Sequence, residues 1–257
     1  MSVSIDLGGR TVIVTGGTKG VGRGIAERFL AAGADVIVCS RTAPERPISA
    51  SGRDAFFVAA DVRDIDQISA VIGHATSHHG RLDVLVNNAG GSPPAEAATA
   101  SPRFSEAIIR LNLLAPMNFA QQANAVMQKQ ADGGSIVNIA SVSGVRPSPG
   151  TAAYGAAKAG LLSLTQTLAV EWAPKVRVNA ITAGMIRTEQ SELHYGDETG
   201  IARVAETVPL GRLAEPADVG DLCIFLASPL ARYVSGASIL LHGGGEKPAF
   251  LAAASKK

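Results

Sequence analysis

The stretch TVIVTGGTKGVGRGIAERFLAAG, residues 11–33, constrains the fold more than any other part of the chain. It opens on five β-branched residues in a row. A strand with no polar alternation is covered on both faces. A glycine-rich turn follows, then apolar residues at helical spacing that stop at Gly33. Strand, tight turn and helix make the first half of a βαβ unit.

The alternation continues to the end of the chain. Further strands are expected at 35–40, 55–61, 82–90, 134–141, 176–182 and 237–243. Helices are expected at 64–79, 103–129, 152–172 and 216–227, the second of these losing register near Pro116. Doubly buried strands separated by helices predict an α/β fold: a doubly wound parallel sheet of about seven strands with helices on both faces. No linker or repeat divides the pattern, so one domain is expected over residues 1–257. Three segments break the rhythm. Residues 41–54 carry two prolines and read as loop. Residues 185–208 are polar and non-periodic, which suits a mobile flap. The tail 246–257 is expected to be an arm or, at its last residues, disordered.

Composition removes several function classes. With 23 basic and 22 acidic residues the net charge is +1, too balanced for a nucleic-acid or anionic-membrane surface. Cys39 and Cys223 lie in apolar stretches and read as free buried thiols in a reducing cytosol. No secretory signal opens the chain, and the apolar runs are too short to span a bilayer. A cytoplasmic protein is the expectation.

The turn TGGTKGVG offers Gly16, Thr18, Lys19, Gly20, Val21 and Gly22 at the start of the first helix. Glycines let backbone N–H groups approach an anion, and the helix N-terminus favours negative charge. A dinucleotide site follows, against the alternative of a plain turn. The end of the second strand chooses between nicotinamides. An acid there would hold a ribose 2′-hydroxyl, but this chain has Ser40-Arg41, with Lys19 nearby. Arginine can grip a 2′-phosphate bidentately, so NADP(H) is favoured over NAD(H). Asp61-Val62, ending the third strand, either contacts adenine or caps the next helix. In NNAG, Asn88 is read as tying strand ends together, while Ala89 and Gly90 leave room for the cofactor.

AAYGAAKAG places Tyr154 and Lys158 on one face of a helix among small residues. Carbonyl reduction needs a hydride from one side and a proton from the other. A phenol is a weak acid, and a neighbouring ammonium would make it a better one. Ser141, ending the fifth strand, can donate to the substrate oxygen. Ser143 is its competitor.

Together these motifs resemble the short-chain dehydrogenase/reductase family, in its form of about 250 residues, over roughly residues 10–245. The resemblance implies a Rossmann-type sheet and a tetrad. Tyr154 is then the acid/base and Ser141 the carbonyl anchor, while Lys158 binds the nicotinamide ribose. Asn112, otherwise only a polar residue inside a helix, becomes part of a proton relay. It also puts Gly184, Ile186 and Thr188 against the nicotinamide carboxamide and implies a homotetramer. One departure is Ala183, where the family usually has proline, which would loosen the turn. The implied activity is an NADP(H)-dependent oxidoreductase interconverting a carbonyl and an alcohol, with a lean toward a 3-oxoacyl thioester. The alternatives are a nucleotide-sensing module without turnover and an NAD-dependent steroid or sugar alcohol dehydrogenase.

Some features carry less. His74 and His78 have zinc-like spacing without a third ligand, and no metal is expected. Met185, Arg187, His194 and Tyr195 lie in the flap, where they touch substrate or are simply solvated. Arg146 either meets an acidic substrate group or is a surface arginine. Gly243–Gly245 read as a turn.

Overall fold

The seven apolar segments form one parallel sheet in the computed structural model, which describes residues 5–254, the side chains of His194 and Ala252 excepted. The strands are β1 (Thr11–Thr15), β2 (Asp35–Ser40), β3 (Phe56–Ala59), β4 (Val84–Asn87), β5 (Gly134–Ser141), β6 (Val176–Ala183) and β7 (Ser238–Leu241). Their spatial order is β3-β2-β1-β4-β5-β6-β7. The chain therefore winds outward from β1 in both directions. The place where the winding reverses, between β1 and β4, is where a crevice opens beyond the strand ends.

Side-chain alternation explains the two covered faces. In β1, Val12 and Val14 pack with Ile25, Phe29, Val219 and Cys223, from α1 (Gly20–Ala31) and α8 (Pro216–Ala227). Ile13, between them, points the other way into a cluster with Ile68, Phe119 and Leu168. Those residues belong to α2 (Ile65–His79), α4 (Ala115–Met127) and α5 (Ala152–Glu171). All three β1 residues are fully buried.

The helix expected at 103–129 is divided, but earlier than Pro116. α3 (Pro102–Ile109) passes into a π-helical turn, Arg110–Leu114, before α4 begins. Asn112 Nδ2 donates to the Ile108 carbonyl at 2.9 Å, taking the acceptor that an α-helical ladder would give to the residue's own N–H. Pro116 sits in the first turn of α4, where its missing donor does no harm.

The expected loop at 41–54 contains a small antiparallel pairing of Ser49–Ala50 with Arg53–Asp54. The flap is more ordered than its sequence suggests. It holds α6 (Glu192–Tyr195) and α7 (Glu198–Thr207), and Ile201, Val208 and Leu213 form a core of their own. In the tail, α9 spans Ala249–Ala253, and the last three residues lie outside the described ones. No helix among the described residues is long and apolar enough to cross a membrane.

Candidate active site

The ends of β1 to β6 open into a cleft of about 490 Å³. Every residue assigned from the sequence to the cofactor or the tetrad lines it, except Thr18 and Asn112; Ser143, Arg146, Met185, Arg187 and Tyr195 do not line it. Thr18 instead donates to the Ser40 hydroxyl at 3.0 Å, joining the glycine turn to the end of β2.

The glycine turn fits a pyrophosphate on two observations. Lys19 occupies the N-cap of α1 without a side-chain cap, so the first N–H groups of this helix have no side-chain acceptor. A Cβ at Gly22 would lie 2.2 Å from the Gly16 carbonyl oxygen and 2.5 Å from Asn88 Nδ2. Only glycine lets the turn fold this closely over the helix start. Asn88 Nδ2 donates to the carbonyls of Thr15 and Gly16, while Thr15 Oγ1 accepts from the N–H groups of Asn88 and Ala89. The NNAG segment thus ties β4 to β1, as its sequence suggested.

At the end of β2, Lys19 and Arg41 make no side-chain hydrogen bond or ion pair among the described residues. Of the two roles expected for Asp61, the structure gives the cap to another residue. Asp64 is the residue that caps α2, through the N–H groups of Asp66 and Gln67. Both Asp61 oxygens are instead held by Arg63, whose Nε lies 2.9 and 3.2 Å from them. That guanidinium holds the Asp61 carboxyl down at about 2. Arg63 itself lines the cleft, a neighbour that the sequence reading missed.

At the other end, Ser141 and Tyr154 hydrogen-bond each other. Ser143 is separated from Ser141 in role: its N–H donates to Ser141 Oγ at 3.2 Å, and its own hydroxyl pairs with Ser148 at 3.0 Å. The backbone therefore holds Ser141 Oγ in place beside the phenol. Lys158 is buried, and its Nζ donates to the Ile139 carbonyl at 2.7 Å and lies 5.6 Å from the centre of the Tyr154 ring. Asn112 reaches the site from behind. Its Oδ1 accepts from the Gly91 N–H at 2.8 Å, and its Nδ2 donates to the Gly91 carbonyl at 2.9 Å. A Cβ at Gly90 would lie 2.6 Å from Asn112 Oδ1 and 3.4 Å from Lys158 Nζ, so both polar heads converge behind that glycine.

One part of the expected chemistry is corrected. With the protein's own groups alone, Tyr154 is not made more acidic. Burial raises its phenol above the ordinary value, and only the hydrogen bond with Ser141 opposes this. Burial also lowers the Lys158 ammonium, to about 8. Both groups are withdrawn from water, and that disfavours the charged form of each.

The turn after β6 is firm despite Ala183. Ala183 pairs with Leu241, and the Gly184 N–H donates to the Leu241 carbonyl at 2.8 Å. The His74 and His78 rings stack at 3.9 Å, and His74 stacks on Phe56 at the same distance, so both rings are committed to packing.

Comparison with known proteins agrees with this geometry. A family model described as enoyl-(acyl carrier protein) reductase matches residues 16–246. An L-rhamnose 1-dehydrogenase (NAD(P)(+)) from Azotobacter vinelandii is 36% identical over 245 residues, covering 91% of this chain and 96% of its own. A 2-dehydro-3-deoxy-D-gluconate 5-dehydrogenase from Escherichia coli is 33% identical, covering 94% and 97%. Among solved structures, the ligand-free aldohexose dehydrogenase of Thermoplasma acidophilum superposes with a TM-score of 0.87 at 32% identity, over 94% of this chain and 96% of its own. A short-chain type dehydrogenase/reductase from Mycobacterium marinum gives 0.86 at 30% identity, over 95% and 98%.

Proposed function

Because the chain belongs to the short-chain dehydrogenase/reductase family, and is thus an oxidoreductase, we propose that it interconverts a carbonyl and an alcohol using NADP(H), with Tyr154 as general acid and base. The observation that carries this reading is the meeting of Ser141, Tyr154 and Lys158 on the wall of a cleft whose far end is an uncapped helix start. The nicotinamide, when bound, supplies or accepts the hydride.

The chain's own groups perform the rest. Ser141 Oγ, steered by the Ser143 N–H, donates to the substrate oxygen and polarises the carbonyl. Tyr154 Oη, on the same side, gives that oxygen its proton. Burial keeps the phenol protonated at neutral pH, which suits the donor role in reduction. Lys158, anchored on Ile139, presents a cation to the sugar of the nucleotide, and Asn112 fixes the Gly90–Gly91 wall opposite.

The absence of an acid at the end of β2 and the cations of Lys19 and Arg41 on the cleft wall support NADP(H). Arg41→Ala is expected to weaken NADPH binding about tenfold to a hundredfold, the worth of a charge-assisted bond of about 1.5–3 kcal/mol. NADH binding should stay within about twofold on the same argument. Equal losses for both nucleotides in a fluorescence titration remove the assignment.

Two of the relatives compared are named for neutral sugars and a third for a sugar acid, which supports a sugar or sugar-derived substrate here. The description of the matched family model keeps an acyl thioester as a second reading. A panel of aldoses, polyols and 3-oxoacyl thioesters, followed at the nicotinamide absorbance with both nucleotides, decides between them. The family also supports a homotetramer built through α4 and α5. Light scattering should return about four times the 26.3 kDa subunit mass, and a monomer contradicts it.

A further inference from the structure

A second, smaller pocket of about 280 Å³ adjoins the cleft and shares Gly184 with it as a wall. Val142, the residue after Ser141, lines it, so the part of a substrate away from its reacting carbonyl can extend there. Its size suits a small molecule better than a long acyl chain.

The pocket is lined by the apolar Val142, Val145, Met185 and Leu240, by His242, and by the ion pair between Arg146 and Glu246. The two partners are a hundred residues apart, and each is placed by backbone. The Arg146 N–H donates to the Val142 carbonyl at 3.0 Å, one residue past Ser141, and its guanidinium also donates to the Pro147 carbonyl at 3.0 Å. On the other side, the Gly243 carbonyl accepts from the Leu210 N–H at 3.0 Å, and the Lys247 N–H donates to the Thr207 carbonyl at 3.2 Å. These two bonds bracket Glu246. Tyr195 lies within the electrostatic reach of both charges. Each charged side chain is about 40% exposed, so a ligand can reach the pair.

Building on the proposed oxidoreductase reading, we propose that the Arg146–Glu246 pair is the specificity element of the substrate pocket, selecting small uncharged polyhydroxylated substrates and rejecting carboxylates. Vicinal hydroxyls can donate to the carboxylate and accept from the guanidinium at once, without breaking the pair. An anionic substrate finds its only nearby guanidinium already neutralised, and must approach the Glu246 carboxylate as a like charge. The apolar lining receives the C–H face of a sugar. Glu246 thus stands where a substrate carboxylate would otherwise sit.

The test uses the full chain with NADP+ and matched probes that share the oxidisable C1 hemiacetal: D-glucose and D-galactose against D-glucuronate and D-galacturonate, which differ only in a carboxylate at C6. The wild type is expected to favour the neutral set by about tenfold or more in kcat/KM. Glu246→Gln should shrink that ratio about tenfold, because the guanidinium is then free to take an acid. Arg146→Met should raise KM for the neutral set more than it lowers kcat, with NADPH affinity within about twofold of wild type. A wild-type preference for the acids, turnover of neither set while other alcohols are oxidised, or an unchanged ratio in both variants overturns the proposal. Failure to bind either nucleotide would instead remove the cofactor reading and is seen separately in the titration.

Discussion

Tyr154→Phe is expected to lower kcat by about 10³-fold while NADPH binds within about twofold of wild type. The change removes one oxygen and nothing else from the wall of the cleft. That oxygen is hydrogen-bonded to Ser141, and it stands at the end of the cleft away from the glycine turn. Ser141 keeps the N–H of Ser143 and can be solvated from the open cleft, so the fold should survive the loss. Proton delivery cannot, because Tyr154 is the hydroxyl set beside Ser141. The retained nucleotide affinity matters as much as the lost rate. A module that only senses nucleotide would bind equally well in both forms and turn over in neither. Wild-type turnover that persists within tenfold in the variant would sink the assignment of the acid.

The sheet was legible because its central strands are buried on both faces, and a run such as Thr11–Thr15 suits no half-exposed setting. The glycine turn was legible for a steric reason that the structure makes explicit: a side chain at Gly22 would collide with the backbone of Gly16. What escaped the sequence has physical causes of a different kind. The π turn at Asn112 is a shift in hydrogen-bond register, which leaves the spacing of apolar residues nearly unchanged. The small core of Ile201, Val208 and Leu213 is assembled from positions without a period, so its segment read as loop. Arg63 takes Asp61 across two residues of loop, where no helical or strand spacing announces a pair. Glu246 meets Arg146 only once the whole domain has closed. The phenol's acidity went the wrong way for the same reason: proximity of a cation can be inferred from i, i+4 spacing, whereas burial of both groups belongs to the tertiary structure.

That burial makes Lys158 the source of the second large effect. Its ammonium is 3% exposed, with one hydrogen bond to the Ile139 carbonyl at 2.7 Å. Burial brings it from 10.5 to about 8. In the unfolded chain it titrates near 10.4, so between about pH 8 and pH 10 the unfolded state holds a proton that the folded state has released. Stability of the wild type therefore carries the full penalty below pH 8 and recovers as pH rises through that window. The fall is equivalent to about 3 kcal/mol, on the order of what the orphaned Ile139 carbonyl would cost, about 1–3 kcal/mol, if the lysine were removed. Lys158→Met is accordingly expected to melt close to wild type at pH 7, and to fall behind it steadily by pH 10. Its kcat should drop about 10²-fold, and its NADPH affinity should drop as well, unlike that of Tyr154→Phe. A melting difference that stays flat from pH 7 to 10 would show that the folded ammonium is not depressed. An unaltered nucleotide affinity would show that it does not face the nucleotide sugar. The two readouts are independent, because the first depends only on what the fold removes from water and the second only on what the cleft receives.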